Sequence, residues 1–138
     1  MRALVQRVSR ASVSAGGEEL AAIGPGLLVL LGITHDDDAA TAGRLAAKVR
    51  ALRVFPDAEG RMNEPLGDRE VLCVSQFTLY GDARKGNRPG FVDAAPPQEA
   101  QPLYERVRSA LGAQGGEFGA HMSVSLVNDG PVTLLLEA

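Results

Sequence analysis

Cysteine is almost absent from this chain. Its 138 residues include one, Cys73, which excludes a disulfide framework within a single copy and fits a reducing compartment. Cys73 sits in the apolar run Val71-Leu72-Cys73-Val74 and reads as a small buried hydrophobe, not as a nucleophile or a metal ligand. Long hydrophobic stretches are missing too. The longest, Leu27 to Ile33, is far too short to span a bilayer. The opening segment MRALVQRVSR carries basic residues but no continuous apolar stretch of the kind a signal peptide needs, so a cytoplasmic location without membrane association is expected. Positive charge is also scarce, the formal net charge being −3. A broad nucleic-acid surface, of the kind duplex DNA requires, neutralises many phosphates with clustered Lys and Arg and is not expected here. A protein that touches only the end of a nucleic acid is compatible with that charge.

Familiar catalytic devices are lacking as well. There is no Gly-x-Ser-x-Gly elbow and no His-Glu-x-x-His, and His35 and His121 have none of the neighbours that a zinc site or a Ser-His-Asp arrangement suggests. The stretch GDARKGNR opens like a phosphate loop, with Gly81 and Gly86 correctly spaced, but Asn87 and Arg88 stand where Lys and Ser or Thr are required. Gly24-Pro25-Gly26 fails as a dinucleotide fingerprint, because proline removes a donor and no helix follows. Neither a cofactor nor a metal is expected.

What is present is an ordinary globular composition, 45% hydrophobic and 22% charged, in a chain long enough for one core and too short for two. Residues 2–9 and 11–15 read as strands, Gly16-Gly17 as a turn, and a third strand runs through Ile23. After Gly24-Pro25-Gly26, LLVLLGI is apolar at every position, the pattern of a strand covered on both faces. Asp36-Asp37-Asp38 supplies N-cap residues, and Ala42, Leu45, Ala46, Val49 and Leu52 share one helical face; the spacing predicts a helix from about Asp38 to Arg53. Residues 56–69 are loop-like, EVLCVSQFTL is another buried strand, and GDARKGNRPGFVDAAPP is a long loop. Pro97 opens a second helix with Leu103, Val107 and Leu111 on one face and Gly112 as its C-cap. Two strands parted at Asn128-Asp129-Gly130-Pro131 close the chain. The order β-β-β-β-α-β-α-β-β predicts a single α/β domain over residues 1–138, a mixed sheet backed by two helices, with the front strands forming a second layer.

Two polar stretches stand out against this scaffold. Ser75-Gln76-Phe77-Thr78 ends an otherwise apolar strand, where binding groups commonly emerge from a core, although a plain solvent-facing strand end has the same look. Gly130-Pro131-Val132-Thr133 is the second, a surface turn at its simplest, with an X-Pro link that is the peptide bond most able to be cis. Together with VQRVSRASV at residues 5–13 and DAEGRMN at residues 57–63, the pair SQFTL and NDGPVT makes the chain resemble the D-aminoacyl-tRNA deacylase family from end to end. Gly90 departs from the family's Arg-Pro-Ser-Phe stretch, and the loop at residues 62–70 looks short; both bear on RNA contacts more than on the chemistry.

The resemblance implies a three-layer β/β/α domain and a homodimer with its active sites at the subunit interface. It implies hydrolysis of the ester between a D-amino acid and the 3′-terminal adenosine of a tRNA, a proofreading reaction that achiral glycyl-tRNA could also enter. An aminoacyl ester is already reactive, so positioning and oxyanion stabilisation suffice without a strong nucleophile. By that similarity Ser75, Gln76, Phe77 and Thr78 hold the scissile ester, with backbone N–H groups around Phe77 and Thr78 as oxyanion donors. Thr78 as direct nucleophile is the alternative, but no base adjoins it in the sequence; attack by water assisted by the ribose 2′-hydroxyl is favoured and would explain an RNA substrate.

The resemblance further implies a cis Gly130-Pro131 bond whose carbonyl oxygens enter the neighbouring subunit's pocket, accept from the substrate α-amino group and leave no room for an L side chain. Val132 and Thr133 complete that turn and Arg7 braces it, although Arg7 alone also fits a solvated strand residue. The loop from Gly81 to Phe91 sets Arg84, Lys85 and Arg88 against Asp82 and is the candidate for acceptor-end phosphates, while Phe118 and Met122 are candidates to line the terminal adenine. A solvated loop and ordinary core residues account for the same pattern. The competing function is an esterase or amidase for small D-configured substrates that needs no RNA.

Overall fold

A computed structural model describes the whole chain, residues 1–138. In chain order it contains β1 (Arg2–Ala15), β2 (Glu18–Ile23), β3 (Gly26–Gly32), α1 (Ala39–Ala51), β4 (Phe55–Pro56), β5 (Met62–Glu64), β6 (Glu70–Ser75), a 3-10 turn (Phe77–Tyr80), α2 (Pro97–Leu111), β7 (Gln114–Gly115) and β8 (Ser123–Glu137). Strands β4 and β5 pair only with each other; the rest form one mixed sheet in the order β2-β1-β3-β6-β7, with β8 added to β1.

The long first strand organises this sheet. Its first half, Arg2–Val8, pairs antiparallel with β3, and its second half, Ala11–Ala15, pairs antiparallel with β2. On its other side β8 follows it from Arg2 to Ser14, with register breaks around Val8. Such irregularities bend a strand and sharpen its twist, so the sheet curls over itself into a nearly barrel-like shape. Strands β3 and β6 run parallel, as do β6 and β7; parallel neighbours need a crossover, and α1 and α2 supply the two.

Side-chain alternation sorts the residues of β3 and β6 into two cores. Leu27, Val29, Leu31, Val71 and Cys73 point to the helices and join Leu45 and Val49 of α1 and Tyr104, Val107 and Leu111 of α2. Leu28, Leu72 and Val74 point the other way and meet Val8, Ala11 and Val13 of β1 and Ile23 of β2. Helices, central strands and the curled-over half of β1 with β2 therefore make three layers. Each fully buried Leu or Val in these cores contributes roughly 1.5–3 kcal/mol.

Several local readings need correction. Residues 2–9 and 11–15 are one continuous strand, and the two closing strands are one, β8, whose pairing with β1 continues beyond the irregular segment at Asn128–Pro131. The segment at 56–69 contains the β4–β5 hairpin. The strand expected to run through Leu79 stops at Ser75, and the chain turns into the 3-10 turn. Of the three aspartates only Asp38 caps α1: its carboxylate accepts from Thr41 N at 2.8 Å while its own N–H donates to Thr41 Oγ1, a reciprocal cap worth about 1 kcal/mol. Asp37 instead accepts from the Met1 ammonium at 3.0 Å and from Thr34 N at 2.8 Å. Gly112 takes the left-handed conformation at the end of α2, φ 60°, as expected of a C-cap. No helix is long and apolar enough to cross a membrane.

Candidate active site

The end of β6 opens into a cavity. Gln76 N donates to Leu31 O at 2.7 Å, extending the β3–β6 pairing by one residue, and the backbone then tightens into the 3-10 turn, with Leu79 N donating to Gln76 O at 3.2 Å and Gly81 N to Thr78 O at 2.9 Å. The N–H groups of Phe77 and Thr78 lead this turn, and the first N–H groups of a helical turn have no intrahelical acceptor. The Gln76 side-chain amide donates to Thr78 Oγ1. Thr78 has no imidazole, amine or carboxylate as partner.

Ser75, Gln76 and Phe77 form one wall of a cavity of about 620 Å³, and Phe118 and Met122 lie on the same lining. That volume lies within the roughly 300–1,000 Å³ of small-molecule sites. The buried floor comes from the two central strands and the start of α2, through Leu31, Ile33, Val74, Ala95 and Ala100. Phe118 is held by packing on Tyr104, ring centroids 5.8 Å apart, and Tyr104 is held in turn by donation from its hydroxyl to Cys73 O at 2.6 Å. Burial pushes the Cys73 thiol up to about 12, which makes it an inert packing group.

A further wall comes from residues that the sequence reading did not assign. Phe91 lines the cavity and meets Phe77 edge to face, centroids 5.0 Å apart. The segment that carries it is tied to the end of β3: Thr34 Oγ1 donates to Asp93 O at 2.5 Å and Ala95 N donates to Ile33 O at 2.9 Å. His121 lines the cavity as well. An aromatic residue in a long polar loop was the available signal for Phe91; for His121 there was only its position beside Met122. Ser75 and His121 share the cavity, and no hydrogen bond joins them.

The other candidate residues lie elsewhere. The Gly130-Pro131 bond is cis, with Gly130 at φ 142°, and both residues are exposed and away from the cavity lining of their own chain. Arg7 Nε donates to Asp129 O at 2.9 Å and Arg7 Nη1 to Val54 O at 2.6 Å. Val132 N donates to Asn128 Oδ1 at 2.8 Å, and Thr133 Oγ1 accepts from Asn128 Nδ2 at 2.9 Å, so the whole turn is held by side chains of β1 and β8. In the loop after the 3-10 turn, Arg84 is engaged by Asp82 at 2.7 Å, and hydrogen bonding from Arg84 holds the Asp82 carboxyl down to about 2. Arg84 borders a second, polar cavity with Arg2 and Tyr80. Burial, with the nearby Asp37 charge, pushes the Tyr80 phenol up to about 12. Lys85 and Arg88 are exposed. No group of three or more His, Cys, Asp or Glu side chains is placed to hold a metal ion.

Fold and cavity thus define a small α/β domain with a ligand-sized apolar pocket at a strand end and no nucleophile–base pair beside it. The family model for D-Tyr-tRNA(Tyr) deacylase matches residues 4–137. The D-aminoacyl-tRNA deacylase of Anaeromyxobacter dehalogenans is 57% identical over 145 residues, spanning 100% of this chain and 97% of the relative; that of Symbiobacterium thermophilum is 55% identical, spanning 100% and 96%. A solved structure described as c-Myc DNA Unwinding Element Binding Protein has a TM-score of 0.91 at 43% identity and covers 100% of this chain and 99% of its own. The chain belongs to the D-Tyr-tRNA(Tyr) deacylase family.

Proposed function

We propose that the protein hydrolyses the ester of D-aminoacyl-tRNA, releasing free tRNA and a D-amino acid. Family membership supports the reaction class, and one observation carries the assignment to this site: the Ser75–Phe77 strand end and the Phe118–Met122 segment face one cavity of nucleoside-compatible size. In this reading Phe118 and Met122 hold the terminal adenine, which sets the 3′ ester against the start of the 3-10 turn. The N–H groups of Phe77 and Thr78 then stabilise the developing oxyanion. With only the Gln76 amide beside Thr78 Oγ1, an activated threonine lacks its base; water, assisted by the substrate's 2′-hydroxyl, is the nucleophile.

Handedness is read by a second copy of the chain. Gly130 and Pro131 are exposed and uninvolved in their own cavity, so a homodimer can present their carbonyl oxygens to the neighbouring site. There they accept from the α-amino group and occupy the volume that an L side chain needs, with Arg7, Val132 and Thr133 fixing the turn. Lys85 and Arg88 meet acceptor-end phosphates, and Arg84 joins them only by leaving Asp82. The DNA binding named for the solved relative is not adopted: a formal charge of −3 opposes the many phosphate contacts of a broad DNA-binding surface. The reading keeps the cytoplasmic location expected of an enzyme acting on charged tRNA.

The test is a paired deacylation assay on D- and L-tyrosyl-tRNA with purified protein. Rapid release of the D-amino acid with the L-ester spared is expected; equal cleavage of both overturns chiral selection. A D-aminoacyl ester on 2′-deoxyadenosine should be cleaved far more slowly than the ribose form. Undiminished cleavage would favour the RNA-independent esterase.

A further inference from the structure

We infer that His121 is a positioning residue for the terminal nucleotide, its imidazole N–H donating to the phosphate on the 5′ side of the adenosine that enters the cavity. The inference rests on the adenosine reading above. Among the eighteen residues that line the cavity, His121 alone has a titratable side chain. The floor is apolar and buried, through Leu31, Ile33, Val74, Ala95 and Ala100, so nothing charged meets the base or the ester from below. His121 is exposed and its imidazole is engaged by no hydrogen bond or ion pair in the chain. The other ionisable side chain between β7 and β8, Glu117, is exposed and unpaired as well.

Substrate chemistry supplies the partner. A tRNA continues from its terminal adenosine through the 5′ phosphodiester, and the chain that follows is far larger than a cavity of about 620 Å³, so it must leave toward solvent. The phosphate that begins it therefore lies along the exposed part of the lining, where His121 is the one side chain that can carry a positive charge. The cations assigned to acceptor-end phosphates do not line this cavity: Arg84 borders the second one with Arg2 and Tyr80 and is paired with Asp82, and Lys85 and Arg88 line neither, which leaves them to phosphates further along the chain.

The test uses D-tyrosyl-tRNA deacylation by the parent, His121→Ala and His121→Lys, with adenosine and adenosine 5′-methylphosphate as competitors. The second competitor carries the single charge of a phosphodiester. For the parent, the phosphate-bearing competitor should inhibit about fivefold more strongly than adenosine, the scale of one solvent-exposed charge-assisted hydrogen bond. His121→Ala should abolish that preference without changing inhibition by adenosine, and His121→Lys should restore it. A preference that survives in His121→Ala, equal inhibition of the parent by the two compounds, or no competition by either overturns the inference. Deacylation of the uninhibited parent is the separate control: its absence removes the proposed reaction itself, whereas its presence with any of those three results removes only the role of His121.

Discussion

Arg7 joins two distant segments with one guanidinium. Its Nε donates to the carbonyl of Asp129, just before Gly130, while its Nη1 donates to the carbonyl of Val54, just after α1. The side chain is 13% exposed, whereas the Asp129 carboxylate at 3.6 Å is 59% exposed; the two carbonyl bonds matter more than the ion pair. Lysine cannot span both acceptors with a single ammonium. Arg7→Lys is therefore expected to lose about 1–3 kcal/mol in urea denaturation and to lower D-tyrosyl-tRNA deacylation about tenfold if the brace sets the turn. Parent-like values in both measurements would show that the turn holds itself.

Gly130 has no room for a larger residue. An added Cβ would lie 2.8 Å from Val132 Cγ2, 2.9 Å from Val132 N and 3.1 Å from Arg7 Nη2, and φ is 142°, a region that L residues rarely adopt. Relaxing those contacts moves either Arg7 or the turn. Gly130→Ala should cost about 1–3 kcal/mol and reduce deacylation by more than the stability loss explains, read from kcat/KM at a temperature where the variant is fully folded. A variant with the parent's rate would remove Gly130 from the site.

Thr78 separates two mechanisms. Its hydroxyl is paired with the Gln76 amide, which cannot accept a proton at its nitrogen, so Thr78→Ala should keep deacylation within about tenfold of the parent. A complete loss, with a trapped acyl-enzyme in the parent, would restore the covalent route.

The parts of the fold that were legible in the sequence are those where one periodicity runs uninterrupted. Ala42, Leu45, Ala46 and Val49 were placed on one helical face, and all four are buried in α1. The uniformly apolar β3 is buried on both faces. Where long strands bend, the signal breaks: the exposed Ser9 and Arg10 interrupt β1, and the Asn128–Pro131 turn interrupts β8, so each reads as two short strands. Phe77–Tyr80 is too short and too apolar to tell a tight turn from a strand. The site shows the same division. Ser75, Gln76 and Phe77 stand out as the polar end of an apolar strand, and Phe118 and Met122 were candidates for the adenine; all five line one cavity. Phe91 and His121 join them only through tertiary packing, which no local pattern records.

Asp37 is the buried partner of the Met1 ammonium, 7% exposed and 3.0 Å away, and the same carboxylate accepts from Thr34 N. Removing it leaves the buried ammonium with only the Ala138 carbonyl, 3.2 Å away, and no countercharge, and leaves Thr34 N without its acceptor, a change that typically costs about 3–5 kcal/mol. Asp37→Ala should therefore lower the urea midpoint sharply. Asp37→Asn should fall between it and the parent, because the amide oxygen can still accept while the charge is gone. Equal stability of all three would show that the pair is offset by its own desolvation.

Cys73 should be silent in the folded protein and should mark unfolding when it reacts. Burial pushes its thiol from the ordinary 9.0 up to about 12, so the folded state holds far less thiolate at pH 8 than the open chain. Iodoacetamide at pH 8 should label the protein only as fast as it opens, and addition of urea should accelerate labelling to the rate of a free thiol. The sign of the linkage follows from the same shift. Between pH 9 and 12 the unfolded chain has lost the proton that the folded chain keeps, so this contribution is intact below pH 9 and is lost as the pH rises toward 12. Cys73→Ala removes the group, and its stability should decline less steeply across that alkaline window than the parent's. Fast labelling of the native protein at pH 8 would mean that the strand carrying Cys73 opens locally, beside the cavity wall that Ser75 begins.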